Sequence, residues 1–277
     1  MKNLMRALCV GLVALVAACA GSTAYTPTGK IEVLWLGQAG FRITTLTGKV
    51  IVVDPWVRTN PKTPAQYKNL DALGKVDLIL VTHAHFDHFA DAPDLAKMHN
   101  VPMYGPAGLG TTVATLGILP AKLAPRFGKG GTIMPFGPQG VKITATHAEH
   151  SSELVWKNPA TGKDETHPGG EPVGYVIELE NGFKIYHMGD TGIFGDLRLI
   201  GRYYQPDLLL MPIGRHFVMS PEDAAYVTEN YLKPKFVIPM HYGTIPVLSG
   251  KPEEYIKALG NTSVKVYPIQ PGEKVMF

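Results

Sequence analysis

Apolar positions in this chain fall into short runs, and the spacing within each run decides its element. Runs rich in Val, Ile and Leu near 31–36, 41–46, 50–53, 77–82, 141–146, 173–180, 183–188, 207–212, 236–240 and 263–267 predict β-strands. Segments near 91–98, 107–116, 221–232 and 252–259 predict helices. Ser220-Pro221-Glu222-Asp223 is a start signal for the third of these, with a capping hydroxyl, a proline and then acids at the positive end of the helix dipole. Strands interrupted by helices predict an α+β fold, a β-sandwich with helices outside. About 250 residues beyond the N-terminal segment, at 45% hydrophobic overall, suffice for one well-cored domain. Residues 120–140, rich in Pro and Gly, carry no assignment. The polar stretch 158–170, which contains His167, reads as a loop inserted between strands, either solvated or a lid.

Four of the apolar runs end at residues that bind metals. The run 76–82 enters His83-Ala84-His85-Phe86-Asp87-His88, which puts three imidazoles and a carboxylate within six positions. A strand carrying His83 and His85 would place both on one face, since side chains alternate with period two, and a following turn would bring Asp87 and His88 round beside them. The run 141–146 leads to His147 and His150, 183–188 to Gly189-Asp190-Thr191, and 236–240 to His241-Tyr242-Gly243. Imidazole with carboxylate suits zinc and other borderline transition metals. Two divalent ions about 3.5–4 Å apart can share a hydroxide, and coordination lowers the pKa of water to about 7.

The motif H-x-H-x-D-H, a later His, a Gly-Asp after a strand and a final His resemble the metallo-β-lactamase fold superfamily, over 31–277. The phrases Asp54-Pro55, Ala148-Glu149-His150-Ser151-Ser152, Gly189-Asp190-Thr191, Pro212-Ile213-Gly214 and Ser220-Pro221-Glu222-Asp223-Ala224 sharpen the likeness. They resemble its uncharacterised metal-dependent hydrolases, related to ascorbate-6-phosphate lactonases and more distantly to N-acylphosphatidylethanolamine phospholipases D. The resemblance implies a four-layer αβ/βα sandwich and two divalent ions, zinc first, with manganese or iron also accepted by such ligands. It assigns His83, His85 and His150 to one ion and Asp87, His88 and His241 to the other, with Asp190 bridging. Asp87 and Asp190 are the expected catalytic carboxylates. His147 competes with His150, and the family's Ala-x-His-Ser phrase favours His150.

Other residues read as supports. Asp54 either orients a ligand or serves as a turn residue before Pro55. Arg215 and His216, at another strand end, either face the pocket as a substrate-binding cation and a general acid or lie on a surface loop. His187 reads as a packed histidine, and Trp56 and Tyr242 as core or rim packing.

The first residues read as a targeting segment. Lys2 and Arg6 precede an apolar stretch, Ala7 to Ala18, that is too short for a membrane span of about 20 residues. Val16-Ala17-Ala18-Cys19 resembles a lipobox, which predicts a lipoprotein-type signal at 1–18, a lipidated Cys19, a tether at 19–30 and a periplasmic position on the outer membrane. Cleavage after Ala20 is the rival expectation. Cys9 and Cys19 are the two cysteines, so the body holds neither a cysteine nucleophile nor a thiolate metal site. The formal charge of +3 includes two units from Lys2 and Arg6, and the near-neutral remainder gives no reason to invoke nucleic acid.

The expected activity is hydrolysis of a lactone, ester or phosphodiester in a small-molecule or lipid substrate by hydroxide held on two ions. The resemblance also admits an iron-dependent persulfide dioxygenase, a β-lactamase or a non-catalytic metal-binding lipoprotein. Oligomeric state is not legible.

Overall fold

The structure, a computed structural model, describes residues 29–277. The expected leader (1–18) and most of the tether (19–30) lie outside the described residues.

Two seven-stranded sheets face each other. The first runs in the order Lys274–Met276, Glu32–Gly37, Gly40–Thr44, Val50–Val53, Leu78–Leu80, Met103–Pro106 and Arg126–Phe127. The second runs Lys265–Val266, Phe236–Met240, Leu208–Pro212, Lys184–His187, Val173–Glu178, Lys142–His147 and Thr132–Ile133. Period-two alternation builds both sides of each sheet. In Val50–Val53, Ile51 and Val53 point inward to a core shared with Ile143, Tyr175 and Leu210 of the opposite sheet. Val50 and Val52 point outward, towards a second core with Leu95 and Leu109 of the helices Ala92–His99 and Ala107–Thr115. Leu209 and Met211 likewise face a third core with Leu197, Ala224 and Tyr255. The result is four layers, helix–sheet–sheet–helix, as the resemblance implied.

Start signals act locally. Ser220 accepts a bond from the Asp223 amide at 3.1 Å, and the Asp223 carboxylate accepts one from the Ser220 amide at 3.2 Å. That capping box opens the helix Pro221–Val227, which continues as a wider turn over Thr228–Leu232.

The sequence reading needs correcting here, beyond the unexpected strands Met103–Pro106 and Lys274–Met276. The stretch 158–170 is not simply a loop: Glu153–Lys157 and Asp164–Pro168 pair as an antiparallel hairpin, with His167 opposite Leu154. The strand expected at 77–82 stops at Leu80, so His83 and His85 sit on a bend and on the cap of the short helix Phe86–Phe89. An unexpected helix spans Leu197–Tyr204 despite Gly201, where an added Cβ would collide with the Tyr231 carbonyl.

Parallel pairing positions the site. Val50–Val53 runs parallel to Leu78–Leu80, and Lys184–His187 runs parallel to Leu208–Pro212 and Phe236–Met240. Chain leaving the C-terminal ends of these strands supplies Asp54, His83, Asp190 and His241 to a common edge.

Candidate metal centre

Two groups of ligand-type atoms meet at that edge. His83, His85 and His150 each offer an atom within 4.8 Å of the others, and Asp87, His88, Asp190 and His241 do the same. His83 Nε2 lies 3.0 Å from His85 Nδ1. Asp190 Oδ2 lies 2.9 Å from His241 Nε2 and 3.6 Å from His150 Nε2, so one carboxylate reaches both groups. His147 is elsewhere, against Lys129, Glu149 and the ring of Phe194.

Backbone geometry aims several of these side chains. Gly189 adopts φ +63°, and a Cβ there would meet the Val173 carbonyl at 2.9 Å and Thr82 at 3.0 Å, so only glycine fits before Asp190. Asp54, Gln38 and His241 take left-handed φ values of +47°, +52° and +58°. Such conformations are uncommon for residues with side chains and tend to gather at functional sites. Those of Gln38 and His241 are tied together, because the Gln38 carbonyl accepts bonds from the Trp35 indole and the His241 amide.

Asp54 is the hub of the supporting bonds. Its carboxylate accepts the Thr82 amide and hydroxyl, both at 2.7 Å, and His88 Nδ1 at 2.8 Å. The Thr82 hydroxyl in turn lies 3.1 Å from His83 Nδ1. Both rings are thereby oriented from behind, leaving their Nε2 atoms aimed into the cluster. His85 differs in using Nδ1 towards the cluster, and its Nε2 lies 3.1 Å from the exposed carboxylate of Glu153. Sequence reasoning missed Thr82, Glu153 and Gln38. Gln38 Nε2 donates to Asp87 at 2.7 Å and lies 2.9 Å from His241 Nε2.

The electrostatics separate the two groups. Burial pulls His88 down, but Asp190, Asp87 and Asp54 outweigh it and hold the ring well above its ordinary value. Burial opposes His241 in the same way, and Asp190 and Asp87 push it up to about 9. Burial works to raise Asp190, yet His241 and His88 keep it well below the usual carboxylate range; Asp87 is also lowered. Burial lowers His83, reinforced by His88, and burial lowers His150.

The donors suit a divalent cation. His88 Nε2 and Asp190 Oδ1 approach to 3.3 Å, yet each is buried without a hydrogen-bond partner among the described residues. Buried atoms that can each present a lone pair, backed by oriented rings, are what a metal site requires.

His85, Asp87, His150, Asp190 and His241 line a cavity of about 310 Å³. Arg215 and His216 do not. Arg215 binds Glu222 and Glu254 at 3.0 and 3.2 Å, which draws it away, and His216 packs against Phe217. His187 is packed, as expected: its Nε2 donates to the Ala39 carbonyl and its Nδ1 accepts the Gly189 amide.

A four-layer sandwich with a three-histidine group and a His/Asp group at one edge is the arrangement of the metallo-β-lactamase fold. Residues 49–242 match the family described as "Beta-lactamase superfamily domain". The chain is 62% identical to a UPF0173 metal-dependent hydrolase of Polaromonas sp. and 61% identical to one of Cupriavidus necator, each match covering all of both chains. A solved structure, Igni18, a metallo hydrolase from the archaeon Ignicoccus hospitalis, superposes with a TM-score of 0.73 at 30% identity, covering 90% of this chain and 98% of that one. The chain therefore belongs to the UPF0173 metal-dependent hydrolases of the β-lactamase superfamily.

Proposed function

We propose that the centre holds two divalent ions and that the protein uses them to hydrolyse a lactone, ester or phosphodiester bond. His83, His85 and His150 would hold one ion, and Asp87, His88 and His241 the other, with Asp190 between. The observation that carries this reading is the placement of Asp190 Oδ2 within 3.6 Å of a histidine from each group. Zinc fits the nitrogen and oxygen donors best, and manganese or iron would also be accepted. When bound, such a pair lowers the pKa of water to about 7 and polarises the scissile carbonyl or phosphoryl oxygen.

The chain's own residues do the rest. Asp54, with Thr82, fixes the rings of His83 and His88, so the ligands need little rearrangement. Gln38 donates to Asp87 and holds that carboxylate facing the centre. Among the described residues no lysine or arginine lines the cavity, so a substrate phosphate would find no lysine or arginine cation there. That favours a neutral lactone or ester over a phosphodiester.

Elemental analysis of protein purified without added metal, followed by hydrolysis assays, tests the proposal. About two zinc or manganese ions per chain, with ester or lactone cleavage that Asp190→Ala abolishes, is the expected result. About one iron per chain without hydrolysis would replace it with a redox reading. The lipobox-like Val16-Ala17-Ala18-Cys19 supports a further proposal, that the chain is exported and lipid-anchored at Cys19. Mass spectrometry of the membrane fraction would show a lipidated Cys19, whereas an unmodified start at Gly21 would overturn it.

A further inference from the structure

Large apolar side chains surround the mouth of the metal-side cavity. Phe86, Val155, Phe217 and Ile245 all line it, and they are 66%, 59%, 52% and 40% exposed. Single exposed hydrophobics are ordinary, but several from separate segments converging on one cavity mark a binding surface. Phe86 opens the short helix Phe86–Phe89, Val155 comes from the hairpin, Phe217 from the loop after Gly214, and Ile245 from the loop after His241.

Three of the four are held in place from outside the cavity. Trp56 meets Phe86 edge-on at 5.3 Å between ring centroids. In the hairpin, alternation turns Glu153 and Val155 to the cavity and Leu154 and Trp156 to the core, where Trp156 packs against Phe89. Arg215, clamped to Glu222 and Glu254, braces the tight turn that presents Phe217. The remaining polar lining is already engaged: the Ser151 hydroxyl donates to Glu153 at 3.0 Å, and Glu153 faces His85. Beyond the metal ligands, the mouth offers a substrate apolar contact and little else.

We propose that this collar receives the acyl chain of a neutral ester or lactone whose carbonyl lies at the metal centre. The inference rests on the hydrolase reading above and names the substrate class for that site. A cavity of about 310 Å³ is at the small end of ligand pockets, which span roughly 300–1,000 Å³. It suits a medium-length chain better than a long lipid tail.

The test is a chain-length series on the full metal-loaded protein: acetate, butanoate, hexanoate and octanoate esters of one alcohol. Each methylene buried in the collar is worth up to about fourfold, from about 0.8 kcal/mol per CH₂. We expect kcat/KM to climb over several carbons and then level off. Phe217→Ala and Ile245→Ser should lower the octanoate value at least tenfold more than the acetate value, with metal content unchanged. A second readout does not need turnover. Binding of butanoate to decanoate, followed by fluorescence of Trp56 beside Phe86, should tighten with chain length and lose that trend in Phe217→Ala.

An active enzyme with a flat chain-length profile overturns the inference and leaves the hydrolase reading standing. If no ester or lactone is cleaved but a phosphodiester is, the acyl-substrate assignment fails while the metal-dependent hydrolysis stands; if none of the three is cleaved, the proposed reaction fails as well. Binding to zwitterionic vesicles that Phe217→Ala abolishes, with no chain-length trend, would also overturn it and make the collar a membrane contact.

Discussion

The two ligand groups sit side by side but solve different problems. His83, His85 and His150 are three imidazoles with no carboxylate of their own, and His85 and His150 are partly exposed towards the cavity. Asp87, His88, Asp190 and His241 alternate acid and base in a buried cluster. Without metal, the raised imidazoles and lowered carboxylates of the second group compensate each other, so an entering ion must displace protons. In the first group burial lowers His83 and His150, and the carboxylates that reach it are Asp190 and the exposed Glu153. Both groups reach the cavity, but an ion held in the first would sit among less buried side chains than one held in the second.

Removing the shared element should have the largest effect. Asp190→Ala is expected to reduce bound metal below one ion per chain and hydrolysis by more than about 100-fold, beyond the 10–100-fold typical of supporting residues. If metal analysis still finds both ions, the two groups are independent and Asp190 does not join them. Next in size is the difference between the ions themselves. Dialysis against a chelator should release them in two steps, and His85→Ala should remove the faster one. A single release step in the native protein would break the contrast.

The supporting carboxylates sharpen it further. Asp54 is fully buried behind His88 and Thr82, so Asp54→Asn should weaken metal binding about 10–100-fold in a competition titration. Glu153 supports His85 from an exposed position where water competes for the same bond. Glu153→Gln should therefore cost less than about tenfold, in line with the small worth of exposed pairs. Equal losses for the two variants would mean that burial does not distinguish the groups.

Much of this site was legible because its ligands follow short β-rich runs, and the H-x-H-x-D-H phrase concentrates four of them. The layers were legible too, since Ile51 and Val53 alternate with Val50 and Val52 as a sheet between two cores requires. Alternation misled at His83 and His85, which converge through a bend and a helix cap that periodicity does not describe. The hairpin went unread because Glu153, Lys157, Asp164 and Glu165 hide its few apolar positions, Leu154 and Trp156 among them. Gln38 gave no signal. Its role comes from a left-handed backbone whose carbonyl is held by the Trp35 indole and by the main-chain amide of His241, a residue far away in sequence. Arg215 was ambiguous because position after a strand end does not fix direction, and two glutamates on neighbouring helices decide it.

The hairpin Glu153–Lys157 and Asp164–Pro168 forms a two-stranded sheet of its own, outside both large sheets. It carries Glu153, which steadies a ligand, and Val155, which shapes the mouth. Natural variation in this element would therefore alter metal retention and substrate preference together. Phe217 lies on a separate loop braced by Arg215, and inherited changes there could shift preference without loosening a ligand. Lineages of this family that diverge in substrate are expected to differ first around Phe217, and to vary the hairpin only with compensating changes near His85.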